Sequence, residues 1–435
     1  MRFAIYTLGC KVNQYETQAL ERELLRRGHV LVPFEDRADA YIVNTCTVTA
    51  VSDKKSRGAI RRAKKENPAA VVGVCGCYAQ TDPAAVERLG VDLVSGTGDR
   101  LAFLDALEAL ACARQAGPQV LVDDVMGHRS FERLPAGGLA GRTRAMLKVE
   151  DGCVNFCSYC IIPSARGPVR SLPLADAAEE ARRLAAEGYR EIVLTGIEIS
   201  SWGRDLAGRP GPIELIEAVC AAAPGLRVRL GSLEPRTITA DFCRRAAALP
   251  NLCPHFHLSL QSGCDATLAR MKRRYDTARY RQSVDLLRAF FRRPALTTDL
   301  IVGFPGETEE EFQQTLAFLQ DCRFARMHIF PYSRRKGTPA ATMPHQVPNG
   351  EKADRAHRAA EVASAMERSW LTSWVGQTVP VLFEEEKGGF WRGYTPQYVE
   401  VFVQGAGLHN QIRTVTITAA GDTHVFGQLT QEENP

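Results

Sequence analysis

"AMLKVEDGCVNFCSYCIIP", residues 145–163, passes from an apolar run with strand character straight into three cysteines, Cys153, Cys157 and Cys160, spaced C-x3-C-x2-C. A closed zinc site held by thiolates takes four ligands, commonly as two C-x2-C pairs. No further cysteine or histidine follows this array until Cys220. Three thiolates on a cubane of four irons leave one iron without a protein ligand, and that open corner can bind a small molecule.

S-adenosylmethionine suits such a corner. Its amino and carboxylate groups can chelate the open iron while the cluster reduces the sulfonium and releases a 5′-deoxyadenosyl radical. Tyr159, between the last two cysteines, is placed either to stack on the adenine or to pack on its own loop neighbours.

Working outward, the run at 145–150 is the first of six strand-like segments. The others are "EIVLTG" (191–196), "LRVRLG" (226–231), "HFHLSL" (255–260), "LTTDLIVG" (296–303) and "RMHIF" (326–330), with helical patterns between them. Six β/α units predict a partial barrel whose active face lies at the carboxyl ends of the strands. The cysteine array lies at the end of the first of these strands.

Upstream, "RFAIYTL", "AYIVN", "AAVVGVC", "VDLVSG" and "QVLVDD" alternate with helical patterns, which reads as βαβ units and a parallel sheet. Cys10 follows the first run, Cys46 the second, and Cys75 and Cys77 end the third. Ligand groups gather beyond the carboxyl ends of such strands, so these cysteines converge on one rim. Spacing alone leaves Cys75 and Cys77 equally open. Asn13 and Glu16 have the spacing of a capping box, and Gly28 suits a helix stop. The helix start then lies close to Cys10, where its partial positive charge favours thiolate.

Residues 127–144, rich in Gly, Pro and Arg without a clear period, separate the two regions, with a boundary near residue 140. Residues 350–374 read as one amphipathic helix. Beyond it the period changes to two, in "TVPVLFEE", "YVEVFVQ" and "IRTVTITAA", which predicts a small β-barrel of OB type. At 435 residues the chain exceeds what one core ordinarily serves. No apolar stretch reaches the length of a membrane span, and the N-terminus lacks signal-peptide anatomy. Thirteen cysteines therefore read as reduced thiols in a cytoplasmic chain. A net charge of +4 is too small to identify a nucleic-acid partner by itself.

The sequence resembles the radical SAM methylthiotransferases. The matching stretches are "TLGCKVNQYE", "NTCTVT", "GCYAQ", "LKVEDGCVNFCSYCIIPSARGPVRS", "LTGIEISSWGRD", "SLEP", "HLSLQSGCDATLARMKRRY", "DLIVGFPGETEEEF" and "FPYSRRKGTPA". The resemblance implies an α/β protein with an N-terminal methylthiotransferase domain (1–125), a partial (βα)6 radical SAM barrel (140–370) and a small antiparallel β-barrel, the TRAM domain (371–435). It also implies a second four-iron four-sulfur cluster on Cys10, Cys46 and Cys77. The radical SAM cluster would generate the radical, and the N-terminal cluster would hold the sulfur that a second S-adenosylmethionine methylates. The pattern is most like the bacterial branch that acts on N6-threonylcarbamoyladenosine beside the anticodon of tRNA, although Ser164, Pro168 and Trp202 depart from it.

Gly196 at a strand end would allow close backbone approach, and Glu198 could accept hydrogen bonds from the amino group of S-adenosylmethionine. Ser232, Glu234, His257 and Gln261 also end strands and are candidates to line the pocket, with His257 read rather as a satisfied core histidine. For the tRNA anticodon stem-loop, residues 51–66 carry seven basic and two acidic residues on one predicted helix. Arg166, Arg170, Lys272, Arg273 and Arg274 add positive charge, and Phe390, Trp391 and Tyr394 offer stacking surfaces. A flavodoxin or ferredoxin is the expected electron donor, and no membrane partner is expected. The alternatives are methylthiolation of isopentenyladenosine in tRNA, methylthiolation of a ribosomal protein, and a noncatalytic metal-binding RNA scaffold.

Overall fold

The computed structural model describes residues 1–113, 117–135, 137 and 142–430. Its N-terminal sheet contains β1 (Arg2–Thr7), β2 (Val30–Val32), β3 (Ala40–Thr45), β4 (Val71–Gly76), β5 (Leu93–Ser95) and β6 (Gln119–Leu121). They run in the order β2-β1-β3-β4-β5-β6 with every pair parallel. β3 and β4 are buried at every position, the mark of strands covered on both faces. Helix α1 (Lys11–Arg26) packs Leu20 and Leu24 on one face beside Phe103 and Leu107. Helix α2 (Ala50–Glu66) packs Ile60 and Ala63 on the other. Strand order reverses between β1 and β3, which opens a crevice beyond their carboxyl ends.

Helix α1 departs from the expected capping box. Cys10 itself is the N-cap, so Asn13 and Glu16 sit within the helix on its buried side rather than at its end. The stop at Gly28 is as expected. With φ at 80°, it lets its own N–H reach Leu25 O and the N–H of His29 reach Leu24 O, a Schellman closure.

The central region contains β7 (Arg144–Lys148), the short hairpin pair β8 (Glu150–Asp151) and β9 (Arg170–Ser171), and then β10 (Glu191–Thr195), β11 (Arg227–Leu230), β12 (Ser232–Leu233), β13 (His255–Leu258), β14 (Ala295–Val302) and β15 (Arg326–Pro331). The parallel order β7-β10-β11 continues, past a break at Gly231, as β12-β13-β14-β15. A bridge from Val228 to Leu252 joins the two parts. Counting β11 and β12 as one broken strand, these are the six expected units. The two-residue strands β8 and β9 are too short to show a period, and the sequence did not reveal them. The boundary placed near residue 140 lies outside the described residues.

Helix Asn349–Thr372 packs along β15 and leads into a closed barrel of β16 (Thr378–Lys387), β17 (Phe390–Tyr394), β18 (Glu400–Val403), β19 (Ile412–Ala420) and β20 (Val425–Leu429). Val381, Phe383, Val401, Val403, Val415, Ile417 and Val425 fill it at alternate positions. The pairs are antiparallel except β18 with β20, which is parallel.

Candidate active site

Three neighbouring strands carry the first set of thiols to one rim. Cys10 follows β1, Cys46 follows β3, and Cys77 opens the short helix α3 (Cys77–Thr81) after β4. Two of these positions depend on a glycine just before the cysteine. At Gly9, with φ at 116°, a Cβ would lie 2.9 Å from Asn13 Nδ2 and 3.1 Å from Cys46 Cβ. At Gly76, with φ at 95°, it would lie 2.5 Å from Thr45 O. Only a residue without Cβ turns the chain here and lets the three loops close up. Cys75, still within β4 before the Gly76 turn, lies in the apolar core with Phe3, Ile42 and Phe103, and burial pushes its thiol up to about 12.

The second set, Cys153, Cys157 and Cys160, occupies the loop after β7 and β8. Arg273, from the turn after helix Asp265–Arg270, donates from Nη1 to Cys157 Sγ at 3.2 Å and from Nε to the Tyr275 hydroxyl at 3.1 Å. Burial pushes the Cys153 and Cys160 thiols up to about 12. Burial also raises Cys10, Cys46 and Cys77, against the lowering pull of Arg166 on all three. The helix start beside Cys10 therefore does not by itself give a thiolate; a bound cation has to displace these protons.

The same loop reaches across to the first rim. Arg166, six residues after Cys160 and wholly buried, donates from Nε to Cys77 Sγ at 3.3 Å and from Nη2 to Asn13 Oδ1 at 2.7 Å. It pairs with Glu16 at 2.5 Å and with Asp151 at 3.3 Å. Glu16 also holds Arg100 at 2.8 Å and Lys148 at 3.3 Å, while Asp151 holds Lys148 at 3.2 Å and Arg170 at 3.5 Å. Burial alone would raise the Glu16 carboxyl, yet Arg100, Arg166 and Lys148 outweigh it and hold Glu16 well below the usual carboxylate range. Four cations against two carboxylates leave this buried core with excess positive charge directly behind Cys77. Such a core accommodates an anionic thiolate assembly.

Arg166 and Arg170 thus do not face solvent as a phosphate contact would, and Arg273 is largely committed to Cys157. Lys272 and Arg274 remain exposed. Of the α2 cations, Lys54, Lys55, Arg61 and Lys65 are exposed, whereas Arg62 stacks on Phe34 and Tyr6. Tyr394 stacks on Tyr398 with Arg144 over its ring, and Trp391 packs on the barrel core. Phe390 alone of the three belongs to a surface aromatic group, with Phe402, His424 and Phe426.

Around the second loop the structure brings several carboxylates together. Gly196 does allow a close approach, but to protein: a Cβ there would meet Glu150 Oε2 at 2.7 Å. Glu150 Oε2 accepts the Glu198 N–H at 2.7 Å, and its Oε1 is buried without a partner. Burial raises Glu150 well above the usual range and raises Glu198 as well, where Glu234 adds to the effect against Arg273. Glu234 is buried and holds Arg236 at 2.9 Å. Crowded carboxyls beside Cys153 with an orphaned oxygen suit a cationic ligand such as the ammonium and sulfonium of S-adenosylmethionine.

Ser232 is exposed on β12. Gln261, with φ at 68°, lines a cavity of about 230 Å³ together with Tyr159, Cys160 and Asp299 on one side and Val48 and Thr49, just past Cys46, on the other. This cavity lies between the two cysteine loops. Tyr159 both borders it and packs edge-on to Phe304. His257 is satisfied by Thr297 Oγ1 at 3.0 Å and Asp299 at 3.2 Å. Trp202 is buried and donates to Leu172 O.

Among the described residues no three His, Cys, Asp or Glu side chains converge tightly enough to hold one metal ion. Sequence reasoning missed Glu150, Asp151, Lys148 and Arg100, and gave Glu16 and Arg166 other roles. Ion pairs across 132 to 150 residues of sequence leave no local pattern. A signal for the rim did exist: glycines at positive φ precede Cys10, Cys77 and Cys153.

Residues 147–319 match the model of the radical SAM superfamily, and residues 2–96 match that of the uncharacterized protein family UPF0004. The chain is 38% identical to the threonylcarbamoyladenosine tRNA methylthiotransferase MtaB of Bacillus subtilis, covering 98% of this chain and 96% of that one. It is 36% identical to the enzyme of that name from Thermotoga maritima, over 96% and 95%. It is also 34% identical to the tRNA-2-methylthio-N(6)-dimethylallyladenosine synthase of Symbiobacterium thermophilum, over 99% and 94%. Among solved structures, the radical S-adenosylmethionine methyltransferase TsrM from Kitasatospora setae superposes with a TM-score of 0.58 at 17% identity, covering 78% of this chain and 77% of that one, which is a likeness of fold.

Proposed function

The chain belongs to the radical SAM methylthiotransferase family, and from that premise we propose that it adds a methylthio group to carbon 2 of N6-threonylcarbamoyladenosine next to the anticodon of tRNA. Cys153, Cys157 and Cys160 would hold one four-iron four-sulfur cluster and Cys10, Cys46 and Cys77 a second. Bound there with S-adenosylmethionine, the two groups supply one-electron removal of hydrogen from an unactivated carbon and a sulfur for that carbon to accept.

The chain's own residues bind and orient. Glu198, Glu234 and Glu150 receive the cationic end of S-adenosylmethionine, with Gly196, Ser232, Gln261 and Tyr159 around the remainder. Arg273 and Arg166 each donate a hydrogen bond to one thiolate sulfur, Cys157 and Cys77 respectively. The buried Glu16–Arg166–Asp151 core fixes the two loops against each other. The observation that carries the reading is this bridge: the loop bearing the second set of thiols touches a thiol of the first.

The exposed cations of α2 and the aromatic group around Phe390 are the surfaces offered to the anticodon stem-loop. A flavodoxin or ferredoxin would deliver electrons, in the cytoplasm. No helix among the described residues is long and apolar enough to cross a membrane. Similarity to the Symbiobacterium synthase supports a second reading, in which the target is dimethylallyladenosine.

Mass spectrometry of tRNA nucleosides from cells with and without the gene separates them. One methylthio group gained on threonylcarbamoyladenosine is the expected result, and a gain on isopentenyladenosine alone would transfer the assignment to the second reading.

A further inference from the structure

A cavity of about 560 Å³ lies between helix α1, the strands of the central barrel and the small C-terminal barrel. That is room for a modified base. Lys11, Gln14 and Gln18 line it from α1. Their spacing of three and four residues puts them on one helix face. Lys11 directly follows Cys10 in the chain, so one lining residue of the cavity is the neighbour of a rim cysteine.

The charges on its walls are unevenly satisfied. Arg144 is held by Glu384 at 2.5 Å and by the Tyr398 hydroxyl at 2.9 Å. Arg229 is held by both oxygens of Glu191, at 2.7 and 2.9 Å, and by the Pro396 carbonyl. Glu385 pairs with Arg392 at 2.7 Å. The Lys11 ammonium makes no ion pair or hydrogen bond among the described residues. His255, 6% exposed, lines the same cavity with its Nδ1 buried and without a partner. Its Nε2 is 3.4 Å from Thr297 Oγ1.

A site offering an unpaired ammonium, two primary amides and an unsatisfied imidazole nitrogen is built for an anion that also hydrogen-bonds. The two substituents at issue differ in that property. Threonylcarbamoyl carries a ureido group, a hydroxyl and a carboxylate, whereas dimethylallyl is hydrocarbon and would lie against the buried Gln18 and His255 without pairing them, an unfavourable arrangement. With carbon 2 of adenine at the cysteine rim, a substituent on N6 diverges from it into the cavity.

We propose that Lys11, Gln14, Gln18 and His255 form the subsite for the N6 substituent of the target adenosine, and that the Lys11 ammonium pairs with its carboxylate. This rests on the tRNA reading above and names the specificity residues of that site.

The test is the affinity of the reconstituted full chain for anticodon stem-loops that differ only at the target base: N6-threonylcarbamoyladenosine, its methyl ester, isopentenyladenosine and adenosine. The chain is expected to bind the acid about tenfold or more tightly than the ester, the size of one charge-assisted hydrogen bond. Lys11→Met should bring that ratio to about one, and Lys11→Arg should keep most of it. Gln18→Glu, about two turns along the helix from the rim cysteine, should lower the acid-to-ester ratio without depending on the integrity of position 11. Retention of the full ratio in both Lys11→Met and Gln18→Glu overturns this inference and leaves the tRNA reading standing. Tighter binding of the isopentenyl form, or binding of none of the four, overturns both.

Discussion

The two cysteine rims reach similar ends by different routes. In the barrel rim, three thiols lie within eight residues of one loop. In the N-terminal rim, Cys10, Cys46 and Cys77 come from three loops and meet only because β1, β3 and β4 are neighbours in the sheet. One rim is local and survives small shifts of the fold; the other exists only while the sheet and its glycine turns are intact. Each has one guanidinium on one sulfur, but Arg273 is braced by a tyrosine whereas Arg166 is locked in a buried ionic core. The N-terminal rim is thus the more demanding to build and the easier to destroy.

The largest separation of the two comes from removing a thiol from each. Cys157→Ala should abolish reductive cleavage of S-adenosylmethionine to 5′-deoxyadenosine, a loss of several orders of magnitude followed by chromatography. Cys77→Ala should retain that cleavage but yield no methylthio product. Cys75→Ala should behave as the parent in both assays, at a modest cost in stability from the cavity it leaves. Cleavage unaffected in Cys157→Ala would break the division between the rims.

Next in size is the ionic core. Arg166→Gln removes the guanidinium that Glu16 and Asp151 share, although Arg100, Lys148 and Arg170 stay on them, so the cost should reach at most the roughly 3–5 kcal/mol of a broken buried pair, read in denaturant melts. Gly76→Ala acts at the same rim by steric strain. Its Cβ would press on Thr45 O, so iron binding at the N-terminal rim should fall while the barrel rim keeps its iron.

Glu16 also gives the N-terminal rim a pH signature. Because Arg100, Arg166 and Lys148 hold its carboxyl well below the ordinary range, the unfolded chain takes up a proton at Glu16 before the folded one does. Its contribution is complete above the ordinary carboxyl pKa, about 4.3, and is lost as pH falls from there toward the lower folded value. Thermal melts of Glu16→Gln should therefore show a shallower loss of Tm on acidification than the parent; an identical slope would remove Glu16 from the account.

The smallest effect belongs to the surface. Replacing Lys54, Lys55, Arg61 and Lys65 by Glu should weaken stem-loop binding and make its logarithmic salt dependence less steep, by about one unit for each phosphate no longer neutralised. An unchanged slope would move the RNA surface elsewhere.

The difference between the rims also marks what could be read before folding. The barrel loop, the six β/α units and the alternating strands of the terminal barrel all have local periods, and each was legible. The convergence of Cys10, Cys46 and Cys77 was legible too, because parallel strands send their loops to one edge. The choice between Cys75 and Cys77 was not settled by spacing, although the glycine before Cys77, and not before Cys75, marks the residue that leaves the strand. What stayed hidden was the partnership of Glu16, Arg100, Lys148, Asp151 and Arg166. Buried charges find their partners through tertiary packing, so Asn13 and Glu16 read as a helix cap and Arg166 as an RNA contact until the fold put them together.

Iron and sulfide content of the anaerobically reconstituted chain, measured beside the triple substitutions of each rim to alanine, tests most directly whether two incomplete thiolate sites face each other. The account predicts about eight irons per chain, falling to about four when either set is removed. About four irons in the parent, unmoved by loss of Cys10, Cys46 and Cys77, or zinc in place of iron, would contradict it.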